Sequence, residues 1–170
     1  RGSLTIGVIP TVTAVDVAVV LGPFRRSYPE VGIHVRTGGS DEFLRRIAAG
    51  ELDGGFLGLA EGVTPRGAQT RELSRERLVA VLSEGHRLAG RRRLRLEDLA
   101  GEPFVDFPEG SSGREQSDLA FDRAGLRREV SFEVNTADLL TGLVRQGLGT
   151  ALIAPGLAHD VPGCMCIPVS

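Results

Sequence analysis

Between Leu4 and Ala60 the hydrophobic pattern switches from a period of two to one near that of a helix and back, twice. In "LTIGVIP", Leu4, Ile6 and Val8 alternate with smaller or polar residues, which predicts a strand ending at Pro10. Val17, Val20, Leu21, Phe24 and Tyr28 then form one apolar helical stripe, with a kink expected at the internal Gly22-Pro23. "VGIHVRTGGS" predicts a second strand. "SDEFLRRIAAG" predicts a helix with Asp41 and Glu42 in its first turn and Gly50 as its cap, and "DGGFLGLA" a third strand. Strand, helix, strand, helix, strand is the rhythm of a parallel sheet, so the fold class is α/β.

The rhythm restarts after a polar crossover near residues 68 to 76. Strands are expected at 78–82, 104–107, 130–134 and 150–154, with helices over "SSGREQSDLAFDRAGL" and 137–146 and a long loop carrying one helical turn between the first two strands. Two Rossmann-like lobes joined by a hinge therefore follow each other, each with a parallel core: lobe I over 1–70 and lobe II over 71–165. Residues 166–170 are expected to start a return crossover to lobe I.

Composition excludes several chemistries. All 20 basic residues are arginine, so a Schiff-base lysine or a phosphate-loop lysine is out of reach. The formal net charge of −2 lacks the footprint of a phosphate-gripping surface, and the run "GRRRLRLEDL" reads as a solvated loop because acids follow it at once. Cys164 and Cys166 flank Met165 with strand spacing and are expected to act as small buried hydrophobes; His34, His86 and His159 share no ligand spacing, so no metal is expected. No apolar run approaches the ~20 residues that span a bilayer, and no signal peptide is visible, so the expected compartment is the cytoplasm.

Asp53, in "AAGELDGGF", raises the question of a catalytic carboxylate. It stands where a glycine-ended helix turns into a buried strand, where a short acid caps backbone donors. "GSSG" at 110–113 is one residue short of a nucleophile elbow, paired carboxylates are lacking, and "GLG" at 147–149 is too short for a dinucleotide fingerprint. No catalytic residues and no cofactor are expected. Hydroxyls do gather at strand-to-helix turns: Thr11-Val12-Thr13, Gly38-Gly39-Ser40, the loop from Phe107 and Pro108 through Ser111, Ser112, Gly113 and Arg114, and Asn135-Thr136. In an open α/β sheet such turns lie at the carboxyl ends of the strands, where helix N-termini offer N–H groups to a small anion. Each turn taken alone is also an ordinary helix cap.

The segments "RGSLTIGVIPT", "FRRSYPEV", "LRRIAAGELDGGF", "LVAVLSEGHRLAG", "LEDLAGEPFVDFP", "FDRAGL" and "LVRQGLGTALIAP" resemble, in order and spacing, the effector-binding domain of LysR-type bacterial transcriptional regulators. The resemblance implies a fold like that of type 2 periplasmic binding proteins, with a small-molecule effector between the lobes. It implies a protein that works as a homodimer or tetramer and meets DNA through an N-terminal helix-turn-helix outside residues 1–170. It places the ligand pocket on Thr11, Val12, Thr13, Ser40, the 107–114 loop, Asn135 and Thr136, with a carboxylate or similar anion as the expected ligand. The family continues past the position of Ser170 with a strand and a helix, and Gly22-Pro23 departs from its usual helix interior. A free-standing solute-binding protein of transport shares the fold and is the alternative; a small hydrolase is a distant third.

Overall fold

A computed structural model describes residues 2–170. Its elements are β1 (Gly2–Val8), α1 (Val17–Ser27), β2 (Val31–Thr37), α2 (Ser40–Ala48), β3 (Gly54–Phe56), β4 (Val79–Ser83), α3 (Leu96–Leu99), β5 (Pro103–Asp106), α4 (Ser112–Arg123), β6 (Glu129–Glu133), α5 (Ala137–Arg145), β7 (Ala151–Ile153), α6 (Pro155–Ala158) and β8 (Cys164–Pro168). The chain divides into two compact units between Arg75 and Glu76.

In the first unit β1 lies between β2 and β3 and pairs in parallel with both, as the alternating pattern and its two helical crossovers require. Phe43 of α2 is fully buried with Ile9 and Leu52, and Val12, Ile47 and Leu57 pack against them. The stripe on α1 behaves differently. No residue of α1 is buried, Val20 and Tyr28 are each 51% exposed, and the helix runs through Pro23 to its end. The 3.6-residue period gives a helix an apolar face but does not say what covers it.

The second unit corrects the expectation of a parallel core. β5 and β6 are parallel, joined through α4, but β4 pairs antiparallel with β7 on one side and β8 on the other. Strand periodicity is the same in either direction, so apolar runs are blind to this choice. A single parallel bridge from Phe104 to Thr150 links β5 to the start of β7. Here the "GLG" at 147–149 acquires its reason. Gly147 takes the left-handed conformation that ends α5, with φ 73°. A Cβ on Gly149 would lie 2.9 Å from the Pro103 carbonyl oxygen, where that bridge brings two backbones together.

Two apolar groups fill this unit. Leu82, Leu94, Leu99, Phe104, Phe121 and Ile167 belong to one; Val81, Val105, Leu140, Val144 and Ile153 belong to the other. The cysteines are less enclosed than expected. β8 is an edge strand, so Cys164 is only partly buried and Cys166 is exposed. Their thiols donate to the carbonyls of Thr141 and Ala158, and burial pushes both thiols up. Residues 166–170 remain paired inside this unit: Ile167 faces Ala80, Pro168 faces Val79, and the Ser170 N–H donates to the Leu94 carbonyl.

Candidate functional site

In each unit, the turns singled out from the sequence lie at the carboxyl ends of parallel strands. In the first, β1 leads into Thr11-Val12-Thr13 and β2 leads into Ser40. The Ile9 N–H donates to the Phe56 carbonyl at 3.1 Å and the Val12 N–H to the Ile9 carbonyl at 3.3 Å, so the turn after β1 is held against the end of β3. Val12 is occupied in packing on the core. Thr11 and Thr13, the polar members of its turn, are both half-buried.

Ser40 has a task inside the protein. The residue is 5% exposed, its hydroxyl donates to the Gly58 carbonyl at 2.7 Å, and the Gly58 N–H donates back to it at 3.2 Å. It is the first residue of α2 rather than its cap; Gly39 holds the cap position. Asp53 likewise serves the backbone. Its carboxylate accepts from the Thr5 N–H at 2.7 Å and its own N–H donates to the Thr5 carbonyl at 2.9 Å. It therefore caps a donor of the neighbouring strand and lengthens the β1–β3 ladder by one residue.

In the second unit β5 leads into Phe107 and Pro108, and β6 into Asn135-Thr136. The Val134 N–H donates to the Asp106 carbonyl at 2.9 Å, so both loops leave from adjacent strands. Arg114 ties them together. Its guanidinium donates to the Phe107 carbonyl at 3.2 Å and to Asp118 at 3.0 Å, and stands 3.6 Å from Glu133 and 3.7 Å from Glu109. Two hydrogen bonds and two flanking carboxylates hold it as a brace between the loops. Thr136 caps α5, its hydroxyl accepting from the Leu139 N–H. Asn135 beside it is exposed.

Ser111 stands apart from these. It occupies the cap position of α4, yet its hydroxyl oxygen is buried and is the one buried side-chain oxygen or nitrogen among the described residues without a hydrogen-bond partner. Ser112 and Gly113 follow it as the first two residues of that 12-residue helix, whose leading N–H groups and dipole favour a negative charge.

Sequence reasoning did not find the support beneath this loop. Asp106 is fully buried; one carboxylate oxygen accepts from the Phe107 N–H at 2.8 Å, the other from Arg128 at 2.6 Å. Arg128 also donates to Asp118, which Arg114 shares, and its guanidinium lies 5.1 Å from the centre of the Phe104 ring. The signal was present in "FVDF": an acid in the middle of a buried strand demands a cation. A cavity of about 320 Å³ lies elsewhere, against α6 and the Cys164–Cys166 stretch, and holds none of the residues chosen from the sequence. Its walls are apolar apart from the thiols and the His159–Asp160 rim, so it offers an anion little. No cluster of three or more metal-ligating side chains occurs among the described residues, and no helix there is long and apolar enough to cross a membrane.

Residues 1–169 match the LysR substrate binding domain family. The chain is 29% identical over 161 residues to the transcriptional activator protein LysR of Escherichia coli, covering 94% of this chain and 51% of that protein. It spans about half the length of the curated relatives it matches. Among solved structures it is similar to HinK, a LysR family transcriptional regulator from Pseudomonas aeruginosa, at 26% identity and a TM-score of 0.75, covering 100% of this chain and 59% of that one. The effector binding domain of QuiR in complex with shikimate gives a TM-score of 0.80 at 20% identity, covering 100% and 81%. The α/β fold is thus the type 2 periplasmic-binding-protein-like fold expected from the sequence, and the chain belongs to the LysR substrate binding domain family.

Proposed function

We propose that this chain is the effector-sensing module of a cytoplasmic bacterial transcriptional regulator, and that it binds a small organic anion without transforming it. The observation that carries the reading is the buried, unpartnered Ser111 hydroxyl at the N-terminus of α4: a buried polar oxygen without a partner is costly unless a ligand or water supplies one. On the second unit Ser112, Gly113, Asn135 and the cap turn of Thr136 join Ser111 as the candidate contacts, with Phe107 and Pro108 beside them. On the first, Thr11 is the candidate contact and Thr13 stands in the same turn. Ser40 and Arg114 support these loops through Gly58 and the Phe107 carbonyl. The shikimate in the QuiR domain, a carboxylate in the same fold, supports the choice of an anion.

A ligand that binds one state of the module more tightly than another shifts the balance by that difference, and a helix-turn-helix attached to the module would carry the shift to DNA in a homodimer or tetramer. Calorimetric titration against a panel of small carboxylates tests the reading. Ser111→Ala and Thr11→Ala are each expected to weaken the best ligand roughly tenfold, about 1.4 kcal/mol, with melting of the free protein unchanged. Unchanged affinity in both variants would place the pocket elsewhere. Turnover of the ligand would favour the hydrolase reading, and export of a signal-bearing precursor the solute-binding one.

A further inference from the structure

We propose that Arg92, Arg93 and Arg95 form a rigid phosphate-contacting edge that lays the second unit against the backbone of duplex DNA without regard to sequence. The stretch from Arg87 to Arg95 holds five arginines, and no acid stands between Glu84 and Glu97. Arg91, Arg92, Arg93 and Arg95 are all exposed. Arg87 is paired with Glu102 and Arg91 reaches Asp98 at 3.7 Å, whereas Arg92, Arg93 and Arg95 have no ion pair among the described residues. Of the acids that follow in sequence, Glu97 is exposed and forms no ion pair with them among the described residues. Asp98 turns back to accept the Arg95 backbone N–H at 2.8 Å, and Glu102 is occupied by His86 and Arg87.

What separates this edge from an ordinary solvated loop is its anchoring. Leu94 is fully buried, its N–H donates to the Pro168 carbonyl at 2.9 Å, and its carbonyl accepts from the Ser170 N–H at 3.0 Å. A parallel bridge from Leu94 to Val169 ties the segment to the chain just past β8. With Leu94 pointing inward and Arg95 extended (φ −101°, ψ 159°), Arg93 and Arg95 share the outward face, roughly 6.7 Å apart along the strand. That separation is in the range of successive phosphates on one strand of a duplex. Guanidinium groups bind phosphate through two parallel N–H donors, and a fixed backbone reduces the ordering cost of contact. A net charge of −2 over the whole chain keeps the contact weak and local.

The test measures fluorescence anisotropy of a labelled random-sequence duplex with the 170-residue chain between about 20 and 200 mM salt, where each phosphate neutralised adds about −0.9 to the logarithmic salt slope. The wild-type chain is expected to bind at low salt with a slope of about −2 to −3. The triple variant Arg92→Gln, Arg93→Gln, Arg95→Gln should bind at least tenfold more weakly with a slope near zero. The control pair Arg123→Gln, Arg127→Gln, exposed arginines of the same unit, should change affinity less than twofold. Failure of the wild-type chain to bind at the lowest salt would overturn the proposal whatever the variants do. So would a control pair as damaging as the triple variant, or tighter binding to phosphatidylserine vesicles than to the duplex through the same arginines.

Discussion

The Ser40 hydroxyl and the Asp53 carboxylate both serve the backbone, one bonded to the Gly58 N–H and carbonyl and the other to the Thr5 N–H. Asp53 was legible because a short acid between a glycine-ended helix and a strand has few better uses than a backbone donor, and it caps the Thr5 N–H. Ser40 was legible as a turn hydroxyl but not as a strut, because its partner Gly58 lies eighteen residues on in the chain. The partners of Arg114 were hidden for the same reason: Asp118, Glu133 and the Phe107 carbonyl become its neighbours only when the chain folds. Ser40→Ala leaves the Gly58 N–H and carbonyl without their partner, so it should cost about 1–2 kcal/mol in urea unfolding. Full stability together with a loss of ligand affinity would instead place Ser40 in direct contact with the ligand.

The β5–α4–β6 element is held by charge as much as by apolar burial. Burial pushes the Asp106 carboxyl up while Arg128 pulls it down, and the net direction is upward. A raised carboxyl favours the folded state below its unfolded range and loses that contribution as pH rises through the folded value, so near neutrality Asp106 depends on Arg128. Asp106→Asn leaves the almost wholly buried Arg128 with Asp118 as its one carboxylate, and a loss of ~3–5 kcal/mol is expected by urea unfolding at pH 7. Glu102 has the opposite sign. Its burial raises it, but His86 and Arg87 outweigh that and hold it below the ordinary carboxylate range. Its contribution is therefore present above the unfolded value of about 4.3 and lost as pH falls through the folded one. Glu102→Gln should lower stability at pH 7 and flatten the part of the profile below about pH 4.5, read from denaturation midpoints. Helices and strands were legible as elements because their periods differ. Strand direction around β4 and the exposure of α1 were not, since both depend on what lies alongside.

At the scale of the whole molecule the two units are unequally furnished. In the first, Ile9, Phe43 and Leu52 form one apolar group, Ile6, Val8 and Ala60 are buried besides, and α1 adds nothing buried; in the second, two apolar groups and the Asp106–Arg128 pair share the interior. The difference follows from the sequence only in part: the apolar residues are there in α1, but Val19 is 67% exposed and Val20 51%. Local stability tracks the apolar contacts that must be broken to expose a backbone amide, so opening should be graded along the chain. Between Leu57 and Leu78 no helix or strand forms, and Arg66, Arg71, Arg75 and Arg77 stand in that stretch. Trypsin should therefore cut there first, and the resulting C-terminal piece, from about Glu76 onward, should outlast the N-terminal one. Hydrogen exchange on the intact chain supplies the second reading. The amides of β1 and β2 should exchange at least tenfold faster than those of β4 and β5, because opening the first unit exposes far less apolar surface. Equal protection in both units, or a tryptic fragment of the first that resists longer, would mean that the surface of α1 is covered in solution by a second copy, and that the weaker unit is completed by assembly rather than by its own core.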